Sequence, residues 1–252
     1  MAVIDTLYRY PVKGLSADNL TQMKIQKDKG IVFDRRWAIE NGSEKFDRQN
    51  PRFFPKRTFY QLALNEKLAQ LRCEFIEESQ TLIISYNNEE LLRTAMNKAE
   101  SADVVEAFFA KFMADDSRGS PRLVSADGHH FTDIPEKAVS LVNLASVREI
   151  LRVTGAEISP LRFRANIYVD GFEPWAEMDW VGKTIHVDGV PVFDVFAITG
   201  RCPATQVNLE TGERDVAMLD VLSDNFGHTK CGVYMKAIND VTIKPGCTIE
   251  VF

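Results

Sequence analysis

Nearly every apolar run in this chain is short. Val3 to Tyr10, Ile31 to Glu40, Thr58 to Leu64 and Thr81 to Tyr86 are rich in β-branched and aromatic residues, and turn formers bound most of them, as strands require. The last hundred residues repeat the pattern in Phe163 to Val169, Thr184 to Val187, Val190 to Phe193, Tyr234 to Ile238 and Thr248 to Phe252. Asp188-Gly189 joins two of these runs and suits a type I′ hairpin turn. Helical periodicity is confined to three places. In Ser101 to Met113, Val104, Phe108 and Phe112 recur every four residues behind Ser101 as N-cap. Leu144 to Val153 follows the apolar strand Val139 to Val142 and stops before Gly155, and Asp215 to Leu222 suggests a short third helix. Many short strands with few helices predict a mainly β (α+β) fold with a closed or nearly closed β-barrel. The polar loops around residues 120–135 divide it into a smaller β-rich module at 1–125 and a barrel domain at 126–252.

The composition narrows the function. At 252 residues with 45% hydrophobic and 26% charged side chains, the chain is an ordinary globular one, long enough for one large β-rich domain or two small ones. A net charge of −6 argues against nonspecific nucleic-acid binding, which draws on excess lysine and arginine, yet it permits a local basic pocket. The start, Met1-Ala2-Val3-Ile4-Asp5, has no signal-peptide character, and no apolar run nears the roughly 18 residues of a membrane span. A cytoplasmic protein without membrane or nucleic-acid partners is expected. Cys73, Cys202, Cys231 and Cys247 form no C-x-x-C pair, and the four histidines no H-E-x-x-H, so neither a disulfide scaffold nor a structural zinc site is expected. Phosphate-loop, dinucleotide-loop and nucleophile-elbow motifs are also missing.

What stands out chemically is a thiol among cations. Cys202 lies in Gly200-Arg201-Cys202-Pro203-Ala204-Thr205-Gln206-Val207-Asn208, just after the strand-like run Val192 to Ile198, where a soft metal or an electrophile can reach it. Lys13 ends the first strand at a turn. Alternation in Phe33-Asp34-Arg35-Arg36-Trp37 puts Arg35 on one face with Phe33 and Trp37, and Phe163-Arg164-Ala165-Asn166-Ile167 puts Arg164 and Asn166 on one face. A cation sharing a face with aromatics must be paired or face a ligand, because an unpaired buried charge is costly. One reading makes these residues structural ion pairs with Asp34, Glu177 and Asp179. The other makes them an anion pocket beside a metal ligand.

Several fragments resemble one family. Tyr10-Pro11-Val12-Lys13-Gly14, Asp34-Arg35-Arg36-Trp37 and Gln49-Asn50-Pro51-Arg52 look like the N-terminal β-barrel module that precedes MOSC domains. Phe163 to Ile167 and Ala176-Glu177-Met178-Asp179-Trp180 resemble the opening of the MOSC domain, Arg201 to Asn208 with Glu210-Thr211-Gly212 its cysteine signature, and Ile243 to Ile249 its closing strands. The resemblance implies binding of molybdenum cofactor, molybdopterin with molybdenum, with Cys202 as both metal ligand and catalytic residue. It assigns Lys13, Arg35 and Arg164 to phosphate and pterin, adds Arg201 beside the thiol, gives Asn166 a pterin contact, and has Thr205 support the cysteine loop. The chain departs from the family at Gly200 and Asn143, where serine is common, and Asn143 is expected at the cofactor through its retained donor and acceptor.

The activity implied is a molybdenum-dependent oxidoreductase that reduces a small N-hydroxylated substrate. With no ferredoxin-type cysteine cluster in the chain, electrons are expected from a separate flavin or iron–sulfur protein. The alternative is a molybdenum-cofactor carrier or sulfur-transfer protein, with Cys202 as sulfur acceptor. A third possibility is a barrel in which Cys202 is merely packed.

Overall fold

The computed structural model describes residues 1–252. Its centre is an eight-stranded sheet in the order Ile249–Val251, Thr184–Val187, Val190–Gly200, Lys230–Ala237, Val139–Asn143, Ile167–Asp170, Val3–Arg9 and Asp18–Leu20. All of its neighbouring pairs are antiparallel except Val139–Asn143 with Ile167–Asp170. The sheet bends back towards its own start. A bridge pairs Val3 with Thr248, and Ile4 N donates to Cys247 O at 2.9 Å while Gly246 N donates to Ile4 O at 2.7 Å. The first strand of the chain is therefore built into the sheet of its second half.

Side-chain alternation sends the sheet's two faces into different cores. Leu141, Ile167 and Val169 point into a cluster of 21 buried residues on the concave side, with Ile4, Leu7, Phe193, Val233 and Met235. Val142 and Tyr168 point the other way, onto helices α2 (Leu144–Thr154) and α3 (Met218–Phe226). A helix layer outside and a packed core inside explain why Val139–Asn143 is buried at every position. A second core of 19 buried residues, 18 from the first half and Val207 from the second, forms where a meander (Arg72–Ile76, Thr81–Tyr86, Glu89–Ala95) packs with α1 (Ser101–Phe112).

The hairpin at Asp188-Gly189 forms as expected, with φ of 48° and 78°. Four expectations need correction. Thr58 to Leu64 is not a strand: Thr58 ends the 3₁₀ turn Lys56–Thr58, Phe59 makes a single bridge with Glu40, and the chain turns again at Leu62–Leu64. Ile31 to Glu40 is not one strand: it stops at Ile31, Trp37 makes an isolated bridge with Val12, a strand resumes at Ala38, and Phe33 and Arg35 adopt φ of 63° and 47° in the turn between. Phe33 and Trp37 still stack, 6.1 Å apart, but the turn carries Arg35 away from them. Phe163–Arg164 likewise closes a 3₁₀ turn, Pro160–Phe163, so the strand begins only at Ile167. In α1 the buried face is Ser101, Val105 and Phe109, one residue on from the expected stripe, and Val104 is exposed. The shift suits the neighbours of α1, since Phe109 meets Tyr60 while Phe108 and Phe112 stack on each other at its edge.

One buried carboxylate bolts the outer helices to the sheet. Glu177 accepts from Asn143 Nδ2 at 3.1 Å, Ser146 Oγ at 2.9 Å and Gly232 N at 3.4 Å. It pairs with no arginine, contrary to the ion-pair reading, and Asp179 lies exposed. Removing Glu177 strands three buried donors at once. Glu177→Ala is expected to lower unfolding free energy by about 3 kcal/mol or more in urea titrations, with Glu177→Gln recovering part of the loss.

A cation-lined cleft between the two halves

A cleft lies between the halves, and cations from both line it: Lys13 and Arg35 from the first, Arg162, Arg164 and Arg201 from the second. Cys202 stands at one end of it, with Thr199, Thr205 and Tyr234 nearby. The expected convergence of Lys13, Arg35, Arg164, Arg201, Thr205 and Cys202 is therefore present.

Each cation is held differently, and the difference matters. Lys13 Nζ donates to Asp133 Oδ1 at 2.5 Å and to Phe131 O at 2.9 Å. Burial pushes Lys13 below its usual range, and Asp133 only partly restores it. Asp133 is held well below the carboxylate range: the Lys13 ammonium, with Lys56 and Arg35 behind it, outweighs the burial that would raise it. Arg35 Nη1 donates to Asp34 Oδ2 at 2.5 Å and its Nη2 to Arg164 O at 3.1 Å. Arg162, nearly fully buried, forks onto Asp215 at 2.5 and 2.8 Å.

Arg164 and Arg201 have no carboxylate partner. Arg164 Nη2 donates to Leu15 O at 2.9 Å, and its guanidinium lies 4.5 Å from the Tyr10 ring centre. Burial pulls Arg164 below the usual arginine value despite help from Tyr10. Arg201 donates to Cys231 O through Nε at 2.7 Å and to Phe163 O through Nη1 at 2.8 Å. Gly232 leaves it room, since a Cβ there would sit 3.0 Å from Arg201 Nη2 and 2.3 Å from Leu141 O. Two guanidiniums held by carbonyls and rings alone give the cleft a net positive wall. Thr199 Oγ1 and Arg162 Nε, both buried at the cleft, make no hydrogen bond within the protein. Buried polar atoms are rarely left unpaired, which sets these two apart from the rest of the wall.

The other expected residues are placed less directly. Thr205 Oγ1 donates to Cys202 O at 2.9 Å, which fixes the cysteine loop as anticipated. Asn166 lines the cleft, but its amide is spent internally: Nδ2 on Tyr8 O and Asp34 Oδ1, Oδ1 on Ser140 N and Oγ. It is a strut of the wall. Asn143 lies outside the cleft altogether and caps α2, with Oδ1 on Ala145 N and Nδ2 on Glu173 O and Glu177. The resemblance put it at the cofactor through the donor and acceptor it keeps where serine is common, but both are spent on Ala145, Glu173 and Glu177.

Sequence reasoning missed Arg162, Asp133, Thr199, Tyr234 and Lys56. Ser159-Pro160 ahead of Arg162 is a capping signal for a short turn, and Ser159 Oγ does accept from Leu161 N at 3.3 Å. Lys56 sits in a loop without periodicity, and nothing local to it distinguishes it.

The Arg162–Asp215 pair makes a pH prediction. Hydrogen bonds from Arg162 hold Asp215 down, from 3.8 to about 2. Its folded value lies below its unfolded one, so the stabilisation is present above about pH 4 and lost as pH falls through 2. Unfolding free energy measured between pH 4 and pH 2 should therefore fall less steeply in Asp215→Asn than in the parent.

Comparison with known proteins agrees with this layout. Residues 1–116 match the MOSC N-terminal beta barrel domain, and residues 126–250 match the MOSC domain. The chain is similar to the molybdenum cofactor sulfurase of Homo sapiens, 22% identical over 260 residues that cover 88% of this chain and 28% of that protein. It is also similar to the molybdenum cofactor sulfurase of Danio rerio, 25% identical over 275 residues, 92% of this chain and 31% of that one. The chain thus spans about a third of the length of these relatives. A solved structure, the YUAD protein from Bacillus subtilis, aligns over 100% of this chain and 96% of its own at 12% identity and a TM-score of 0.38. With both domain models matched in order along nearly its whole length, the chain belongs to the MOSC family, a MOSC domain preceded by the MOSC N-terminal β-barrel.

Proposed function

We propose that this protein binds molybdenum cofactor in the cleft and reduces N-hydroxylated compounds with electrons from a separate donor protein. The observation that carries the reading is the juxtaposition of two carboxylate-free guanidiniums, Arg164 and Arg201, with two unpartnered buried polar atoms and the Cys202 thiol. An anionic, polar group that also carries a soft metal answers all of these at once. No cluster of three or more His, Cys, Asp or Glu side chains could hold a metal ion. A metal at Cys202 must therefore bring its other ligands with it, as a pterin dithiolene does, and thiolate suits a metal already bound by sulfur.

The protein's own residues then divide the work. Arg164 and Arg201 take the phosphate and the polar pterin edge, where a planar guanidinium offers a fork of donors. Thr199 Oγ1 and Arg162 Nε supply the remaining hydrogen bonds, and the Thr205 hydroxyl holds the Cys202 backbone so that the thiol faces the cleft. When bound, the cofactor supplies two-electron redox chemistry at molybdenum. The overall conversion is R–NHOH + 2e⁻ + 2H⁺ → R–NH₂ + H₂O, which breaks the N–O bond and releases its oxygen as water. Two of the other three thiols are unsuited as ligands: burial pushes Cys73 up to about 11 and Cys231 up to about 12, and both remain protonated.

A second reading has support in the names of the relatives: a cofactor-handling module in which Cys202 accepts or passes sulfur. The two separate on the purified protein. About one molybdenum per chain with turnover of an N-hydroxylated substrate under a chemical reductant supports the oxidoreductase. Reversible cofactor binding with no turnover, and a persulfide on Cys202, supports the second reading.

Two substitutions test the assignments within the first reading. Arg164→Ala should lower cofactor affinity about tenfold or more, the worth of a charged hydrogen bond. It should do so at a melting temperature close to the parent's, read as molybdenum content beside a thermal scan. Cys202→Ser should retain part of the cofactor and lose turnover, whereas serine at Cys73, Cys231 or Cys247 should keep it. Near-normal activity in Cys202→Ser would remove the thiol from the mechanism.

A further inference from the structure

Of the residues that line the cleft between the halves, Asp133 alone carries a carboxylate. Asp34 and Asp215 pair with Arg35 and Arg162 from outside that lining. Asp133 also reaches its partner from the surface: its side chain is 47% exposed, that of Lys13 only 6%, and the two meet at 2.5 Å. One short segment holds Lys13 completely. Besides the carboxylate, Nζ donates to Phe131 O at 2.9 Å and to Thr132 O at 3.5 Å, so the three donors of the ammonium go to three consecutive residues. The backbone of this segment is tied down. Phe131 N donates to Arg35 O at 2.8 Å, the Phe131 ring packs on Phe46 and Phe59, and Thr132 Oγ1 donates to Ile134 O at 2.8 Å.

Two of the three acceptors on Lys13 are carbonyls, the kind of contact that fixes Arg164 and Arg201 without cancelling their charge. One carboxylate therefore separates Lys13 from the open guanidiniums. Without that carboxylate, the ammonium joins a compact cluster. Arg35 and Arg164 lie 4.6 and 4.5 Å from the same Tyr10 ring, and Phe131 links Lys13 to Arg35. Such a cluster suits a small dianion, which brings several acceptor oxygens to one point. With Asp133 in place, a dianion at Lys13 meets a like charge already bonded to the ammonium, and like charges that close repel strongly. An extended anion is penalised less. It draws on Arg164, Arg201, Thr199 Oγ1 and Arg162 Nε, none of which bonds to Asp133.

We propose that Asp133 is the specificity-determining residue of this cleft: by withholding Lys13 it excludes small free anions, inorganic phosphate above all, and leaves the cleft to a larger organic anion. The inference rests on the reading of the cleft as an anion site and needs neither a metal nor redox chemistry. It also differs from a structural role for the pair. A carboxylate that only anchored the segment 131–133 would, once neutralised, lower stability and leave the affinity for anions where it was.

The test is calorimetric titration of inorganic phosphate into the full chain, produced in cells that make no molybdenum cofactor. Asp133→Asn should bind phosphate about tenfold or more tightly than the parent, the worth of a hydrogen bond from a charged donor. Adding Lys13→Met to Asp133→Asn should abolish the gain, which locates it at the ammonium and not in the general field of the cleft. A thermal scan of each variant checks folding, and Asp133→Ala takes the place of Asp133→Asn if the latter does not fold. Equal phosphate affinity in the parent and the neutral variant overturns the inference, and so does binding that is detectable in neither. A gain that survives Lys13→Met overturns it as well, and failure of both neutral variants to fold would make Asp133 structural. The oxidoreductase reading is judged apart from this, by turnover of the cofactor-loaded parent, so either can fail while the other stands.

Discussion

The cleft depends on Asp34. Its Oδ1 accepts from Tyr10 N at 2.8 Å and from Asn166 Nδ2 at 3.0 Å, and its Oδ2 accepts from Arg35 Nη1 at 2.5 Å. One buried carboxylate thus joins the end of the first strand, the turn that carries Arg35, and the segment leading into Ile167–Asp170. Asn166 relays the constraint to Tyr8 O and to Ser140. Because each group is buried and satisfied by another, losing one leaves several unpaired, and such networks cost more than the sum of their bonds. That is how segments from both halves of the chain keep one wall of arginines in register.

The backbone at this node is unusual. Arg35 and Arg164, whose guanidiniums lie 4.6 and 4.5 Å from the Tyr10 ring, both adopt left-handed conformations, with φ of 47° and 52°. A non-glycine residue there costs on the order of 1 kcal/mol and persists only where its surroundings over-determine it. Here the surroundings are the Asp34 carboxylate and a tyrosine buried deeply enough that its hydroxyl is pushed up to about 12. The strain has a geometric product. Both side chains turn back over one ring and into the cleft, which neither would do from a regular strand.

That same strain set the limit of what the sequence could reveal. Alternation read Phe33, Arg35 and Trp37 as one strand face, and Arg164 with Asn166 as another, because periodicity assumes φ stays negative. At both places a local turn won, yet the conclusion that these charges face a ligand or a partner survived, since it rested on the cost of burying a cation and not on the strand. Cys202 and Thr205 were readable for a different reason: they act within a few residues of each other. Asn143 misled because a side chain with a donor and an acceptor serves a helix N-terminus as well as it serves a ligand, and the structure uses it as the cap of α2. Lys56, Asp133 and Arg162 were invisible because their roles are defined by partners far along the chain, 120 residues for Lys13 with Asp133 and 53 for Arg162 with Asp215.

The uneven pairing of the cations follows from the electrostatics of burial. Removing a charge from water is expensive unless something compensates it, and the expense grows when like charges are gathered. Five fully exposed cations would form a solvated face with little selectivity; five fully paired ones would form a neutral wall. The cleft does neither. Asp133, Asp34 and Asp215 neutralise Lys13, Arg35 and Arg162, which lets those three serve as structure. Arg164 and Arg201 are held in place by carbonyl oxygens and aromatic rings, contacts that fix direction without cancelling charge. The attraction left over is confined to two planar forks of known orientation, pointing at a space where Thr199 and Arg162 also wait for partners. A ligand able to meet all of them is anionic at one end and rich in hydrogen-bonding edges at the other, and Cys202 lines the same cleft.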